Sequence, residues 1–150
     1  MSMQEQRIVV GVDGSESSVD ALRWAAEQAE RTGSWLKVVG AWNFQLGVGS
    51  TPFWPSDFNP QKDTERMLKD IIKRELKDHD HLEIHTSVVE GYAAPVLIKE
   101  AERADLLVVG SRGHGAFAGM LLGSVSEHCV AHAKCPVVVV RHQSGSDSAL

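Results

Sequence analysis

The chain of 150 residues holds only two cysteines, five prolines and one tyrosine. Two thiols, Cys129 and Cys135, are too few for a disulfide framework, so stability must come from a packed core in which free thiols serve as small apolar residues. Basic residues are outnumbered, 15 Lys and Arg against 20 Asp and Glu, which removes any broad attraction for nucleic acid or an anionic membrane. No apolar run nears the roughly 18 residues of a membrane span, and the opening MSMQEQR lacks the apolar centre of a signal peptide. These absences predict a cytoplasmic protein that binds neither membrane nor nucleic acid. No internal repeat is visible, and a chain of this length suits one domain over 1–150, with flexible tails at 1–6 and 142–150; such a domain buries about two thirds of its unfolded surface.

Two familiar phosphate signatures are also missing. No glycine is followed by Lys and then Ser or Thr, as a Walker loop requires, and a dinucleotide fingerprint would need a glycine at 118, where Ala118 stands. What is present is the run Gly110 to Ser124, GSRGHGAFAGMLLGS, directly after the apolar Asp105-Leu-Leu-Val-Val109. A strand feeding a glycine-rich loop and then a helix lets bare backbone N–H groups approach an anion, and the helix start adds its positive dipole end. The expected ligand carries phosphate.

The remaining pattern is a β-α alternation. Arg7 to Val12 reads as a buried strand stopped by Asp13-Gly14, and Ser15 caps a helix with Glu16 and Asp20 in its first turn, Val19, Leu22, Ala26 and Ala29 on its buried face, and Gly33 as its stop. Trp35 to Trp42 forms a second strand, and 43–59 is a long loop, a binding loop or a disordered connection. Asn59-Pro60 opens a second helix with Leu68, Ile71, Ile72 and Leu76 inward, running to about Asp78. Leu82, Ile84, Thr86 and Val88 alternate with Glu83, His85 and Ser87, the pattern of an edge strand. A third helix starts at Ala94-Pro95 and runs to about Arg103, a fourth strand spans Asp105 to Val109, a fourth helix spans Ser124 to Ala133, and Pro136 to Val140 is the last strand. Five strands alternating with four helices call for a doubly wound parallel α/β sheet with right-handed crossovers. Continuous apolar character puts strands one and four in the centre and the alternating strand three at an edge, which fits the order 3-2-1-4-5. Ligands in such sheets bind beyond the strand ends where the order reverses, and that point brings Asp13 and Gly110 together.

The spacing G-x2-G-x9-G-S, met by Gly110, Gly113, Gly123 and Ser124, resembles the ATP-binding branch of the universal stress protein family. The resemblance extends from Arg7-Ile-Val-Val-Gly-Val-Asp-Gly-Ser15 to Cys135-Pro-Val-Val-Val-Val-Arg141. It implies the same Rossmann-like sheet, an adenine nucleotide with Mg²⁺, and a regulatory rather than catalytic role in the stress response, through an unidentified protein partner. Gly11, Val12 and Asp13 then border the nucleotide at the end of strand one, and Ala41 matches the position whose backbone meets adenine. Gly110 and Gly113 allow close approach of the phosphates, Gly123 opens the last helix, and Ser124, Val125 and Ser126 supply N–H and hydroxyl donors.

Asp13 either shapes its own turn or faces the ligand, where a carboxylate can bond ribose or hold Mg²⁺. Arg112 is either a phosphate contact or a solvated cation. His128, Cys129, His132 and Cys135 invite a zinc reading, but Cys129 points about 100° from His128 on a helix and Cys135 lies past its end, while Val125, Cys129 and His132 continue the apolar stripe. His79, His81 and His85 surround the edge strand and face solvent rather than metal. No general base, nucleophile or cationic clamp stands out, so any ATP hydrolysis would be slow. An ATP pyrophosphatase would need an SGGxDS loop where this chain has GVDGSES, and a flavodoxin-like carrier would place its phosphate loop after strand one. Val137 to Val140, apolar on both faces of an edge strand, predicts a homodimer through that strand.

Overall fold

The computed structural model describes residues 6–43, 59–112 and 122–142. Its elements alternate as expected: β1 (Arg7–Gly11), α1 (Glu16–Thr32), β2 (Trp35–Trp42), α2 (Pro60–Glu75), β3 (Ile84–Glu90), α3 (Ala93–Glu100), β4 (Leu106–Gly110), α4 (Ser124–His132) and β5 (Val137–Val140). All the strand pairs are parallel and the order is β3-β2-β1-β4-β5. Among these residues no helix is long and apolar enough to cross a membrane. The 43–59 loop, apart from its two ends, lies outside the described residues, as do positions 1–5 and 143–150 of the tails.

Successive strand side chains point to opposite faces, so the central strands feed two separate cores. Val10, Leu36, Val38 and Val108 pack with Leu22, Ala25 and Leu68 on the side of α1 and α2. Val9, Val39, Leu107 and Val109 pack with Leu97 and Cys129 on the side of α3 and α4. Lys37 belongs to this second face, and its ammonium meets Glu100 of α3 at 3.2 Å while the Ser87 hydroxyl donates to the same carboxylate at 2.6 Å. A cation inside a strand is therefore paired as it is half-buried.

The caps fall where the residue types put them. The Ser15 hydroxyl accepts from the Ser18 N–H and Gly33 closes α1 in the left-handed region at φ 68°, while the Asn59 side chain accepts from the Lys62 N–H ahead of Pro60. Boundaries differ from the sequence reading where the chain tightens into turns. The His79 N–H bonds the Leu76 carbonyl and the Leu82 N–H bonds that of His79, so α2 stops at Glu75 and β3 begins at Ile84. Turns at Glu102 and Ala104 likewise end α3 at Glu100. Asp20 lies beyond the first turn of α1 and pairs with Arg23 at 2.7 Å.

Two corrections concern apolar stripes. His132 is exposed, so the buried stripe of α4 is carried by Cys129 and, in part, Val125. The β5 valines are half-buried against their own domain: Val138 and Val140 lean on the first core, Val137 and Val139 on the second. Among the described residues β5 pairs with β4 alone, which leaves its other backbone edge without a strand partner there.

Candidate functional site

Because β1 and β4 are adjacent yet lead to helices on opposite faces, their carboxyl ends part and leave a crevice. The crevice opens to solvent between the two strand ends. Its described lining comes from the end of β1 and the start of α1 (Gly11, Val12, Asp13, Ser15, Ser18), from β2 (Val39, Ala41), from α3 (Ala93, Leu97), from the end of β4 (Val109, Gly110, Arg112) and from α4 (Val125, Ser126). Gly11, Val12, Asp13, Ala41, Gly110, Arg112, Val125 and Ser126 are thus brought together. Gly123 and Ser124 stand beside them, one buried at the helix cap and one exposed at the first helical position, and Gly113 lies outside the described residues. The sequence reading missed Ser15, Ser18, Val39, Ala93, Leu97 and Val109. Strand periodicity places Val39 and Val109 on the α3 side, but no local signal in Ala93 or Leu97 reports that α3 forms a wall of the crevice.

Asp13 serves its turn and faces the crevice at once. Its Oδ1 accepts from the Ser15 N–H at 2.9 Å and from the Ser15 hydroxyl at 2.5 Å, and its own N–H donates to the Ser18 hydroxyl at 3.2 Å. It is the only carboxylate among the described lining residues. A single carboxylate with room for phosphate oxygens and water is the donor set that Mg²⁺ usually takes, so the residues fit that ion.

The glycines are explained partly by packing. A Cβ on Gly110 would lie 2.5 Å from the Ser17 Oγ and 2.7 Å from the Ser17 carbonyl carbon, so glycine at 110 is required by the approach of α1 to β4. This packing demand stands beside the expectation that Gly110 admits phosphate, since the residue also lines the crevice. A Cβ on Gly11 would lie 2.6 Å from the Leu97 Cδ1, so its bareness lets Leu97 reach into the crevice. Ser17 is the knot of this corner, its hydroxyl 3.4 Å from both the Ser111 Oγ and the Val140 carbonyl, and accepting from the Arg112 N–H at 3.3 Å.

The start of α4 is clasped from behind. The Gly123 N–H donates to the Ser111 carbonyl at 2.6 Å, and the buried Ser126 hydroxyl donates toward the Ser111 and Gly123 carbonyls at 3.1 and 2.9 Å. Ser126 therefore engages its hydroxyl in the fold and presents its backbone N–H at the helix start. The Gly123 carbonyl already accepts from Glu127. The N–H groups of Ser124, Val125 and Ser126, by contrast, have no acceptor within the helix, and Gly123 offers no side chain to cap them. The crevice thus joins an apolar slot, made by Val39, Ala41, Leu97 and Val109, to uncapped amides with a positive dipole end. Arg112 is exposed at its rim. Among the described residues no three His, Cys, Asp or Glu side chains are grouped to hold a metal ion, and Cys129, fully buried, has its thiol pushed up to about 11 by burial and by nearby Cys135.

Residues 5–141 match the model of the universal stress protein family. A universal stress protein of Mycobacterium tuberculosis is 36% identical over 140 residues, 92% of this chain and 46% of its own length. Another from Mycolicibacterium smegmatis is 36% identical over 135 residues, 89% of this chain and 45% of its own length. The chain spans about half the length of these curated relatives. Among solved structures, a universal stress protein in complex with cAMP superimposes with a TM-score of 0.69 at 30% identity, covering 93% of this chain and 98% of the other. A universal stress protein from Archaeoglobus fulgidus in complex with dAMP gives 0.62 at 25% identity, covering 92% and 99%. With the sheet order, the crevice and the match over nearly its whole length in agreement, the chain belongs to the universal stress protein family.

Proposed function

We propose that this protein binds ATP with Mg²⁺ in the crevice between β1 and β4 and acts as a nucleotide-dependent regulator of the stress response in the cytoplasm, as a homodimer joined along β5 and with a further protein partner. The observation that carries the reading is the junction of an apolar slot with the uncapped start of α4. The slot suits a base. The amides of Ser124 to Ser126, with Gly113 and Arg112, suit phosphates. Asp13 would hold Mg²⁺, which when bound neutralises phosphate charge; the cAMP and dAMP carried by relatives support an adenine nucleotide.

Regulation is favoured over turnover because the one carboxylate in the described lining has its Oδ1 engaged by both the N–H and the hydroxyl of Ser15. Phosphate release is expected below about 1 per second, the low end of ordinary enzymes, and a faster steady state would make the protein an ATPase. The binding test is calorimetry together with mass analysis of nucleotide released on denaturation. Ala41→Phe, which fills the slot, should abolish ATP binding; Asp13→Asn keeps an acceptor for Ser15 and should lose only the gain in affinity that Mg²⁺ provides. Unchanged ATP affinity in Ala41→Phe would refute the site.

A further inference from the structure

Two histidines of α4 belong neither to the crevice nor to the core. Positions 128 and 132 are one helical turn apart, so their side chains leave the same face of the helix, and both residues are exposed. Their ring centres are 5.6 Å apart with planes inclined by 41°. The face is open because Cys129 and Ser126 turn the other side of α4 inward. Zinc–nitrogen bonds of about 2.0–2.1 Å put the centres of two imidazoles sharing one ion roughly 4.5–5.5 Å apart, so a small rotation of either ring closes the difference.

We propose that His128 and His132 chelate one borderline divalent transition cation, Cu²⁺, Ni²⁺ or Zn²⁺, on the outer face of α4. Imidazole pairs suit these ions and not Mg²⁺ or Ca²⁺, and Cu²⁺ binds most tightly of the three. Two histidines at i and i+4 are the spacing at which one helix face presents two ligands to a single ion. The helix does the positioning, since its backbone bonds already fix both Cβ atoms and only the ring rotations remain to be ordered. Cys129, between them in sequence, is held in the core as a protonated thiol and takes no part. No third His, Cys, Asp or Glu completes the set among the described residues, so water fills the other positions and the coordination sphere stays open. An ion that bridges one turn binds only the folded helix, so it stabilises the chain by linkage.

The test is titration of untagged full-length protein with CuCl₂ and with NiCl₂, followed by calorimetry and by the histidine ring resonances. One equivalent should bind, the melting temperature should rise, and a chelator should reverse both. His128→Ala and His132→Ala should each remove that isotherm, whereas His79→Ala combined with His81→Ala should leave it intact. His132→Ala combined with Ala131→His should restore binding because 131 is also a neighbour of 128 on the helix surface; His132→Ala combined with Val130→His should not, because 130 faces away. Retained affinity in either single variant, loss confined to the His79 and His81 pair, or equal binding by the 130 and 131 designs would overturn the proposal.

Discussion

A methyl group on Gly110 would meet backbone atoms of Ser17 at 2.7 and 2.8 Å, whereas one on Gly11 would meet only the tip of Leu97. Those two neighbours differ in what they can yield. The Ser17 backbone is part of the first turn of α1 and cannot retreat without moving the helix, so Gly110→Ala is expected to destabilise the fold by about 1–3 kcal/mol, the usual cost of overpacking. Leu97 can change rotamer, and the space beside it is the crevice. Gly11→Ala should therefore leave the chemical denaturation midpoint nearly unchanged while weakening nucleotide binding. Denaturation curves and calorimetry on the two variants check this; equal loss of stability in both would show that Leu97 is as rigid as the helix. At this scale the sequence is incomplete, because a glycine in a phosphate-type loop and a glycine demanded by a helix crossing are the same letter. Ser126 is a second case: a hydroxyl near a helix start reads as a ligand donor, and only the fold shows it turned toward the Ser111 and Gly123 carbonyls.

The elements themselves were far more legible, since each rests on local rules. The Ser15 and Asn59 caps, the Gly33 stop and the full span of β2 follow from residue type and periodicity, whereas the ends of α2 and α3 depend on turns that apolar spacing does not mark. The role of α3 as a crevice wall was invisible, because it arises from which strands are neighbours and from no motif of its own. One contact between elements has a pH signature. Just past β5, the imidazole of His142 meets Asp20 of α1 at 2.6 Å and Glu16 at 2.8 Å. The hydrogen bond to Asp20 raises its pKa above the ordinary histidine value, with the charges of Asp20 and Glu16 adding to it. A raised folded-state pKa means stabilisation that is complete below the unfolded value near 6.5 and lost as pH rises through the folded one. His142→Ala should thus lower the melting temperature at pH 5.5–6 and have a much smaller effect at pH 8.5 or above. An effect that grows with pH would contradict the assignment.

For the molecule as a whole, the open question is what covers the β5 edge, and backbone geometry sharpens the expected answer. The Leu107 N–H donates to the Pro136 carbonyl and the Ser111 N–H to the Val140 carbonyl, so residues 136, 138 and 140 turn their backbone groups toward β4. By the two-residue period of a strand, Val137 and Val139 turn theirs outward. Outward N–H and C=O groups with no strand partner among the described residues are a template for another strand, and an identical strand about a two-fold axis would satisfy both copies at once. Substituting lysines for Val138 and Val140 would not test this cleanly, because those side chains support the first core. Val139→Pro removes one outward N–H and no bond to β4, a change edge strands accommodate. The wild-type protein is expected to sediment as a dimer at micromolar concentration, and Val139→Pro as a monomer whose far-UV spectrum matches the parent and which still binds nucleotide, since the crevice lies on the other side of β4. A wild-type chain that sediments as a monomer, or a proline variant that stays dimeric, would remove β5 as the interface.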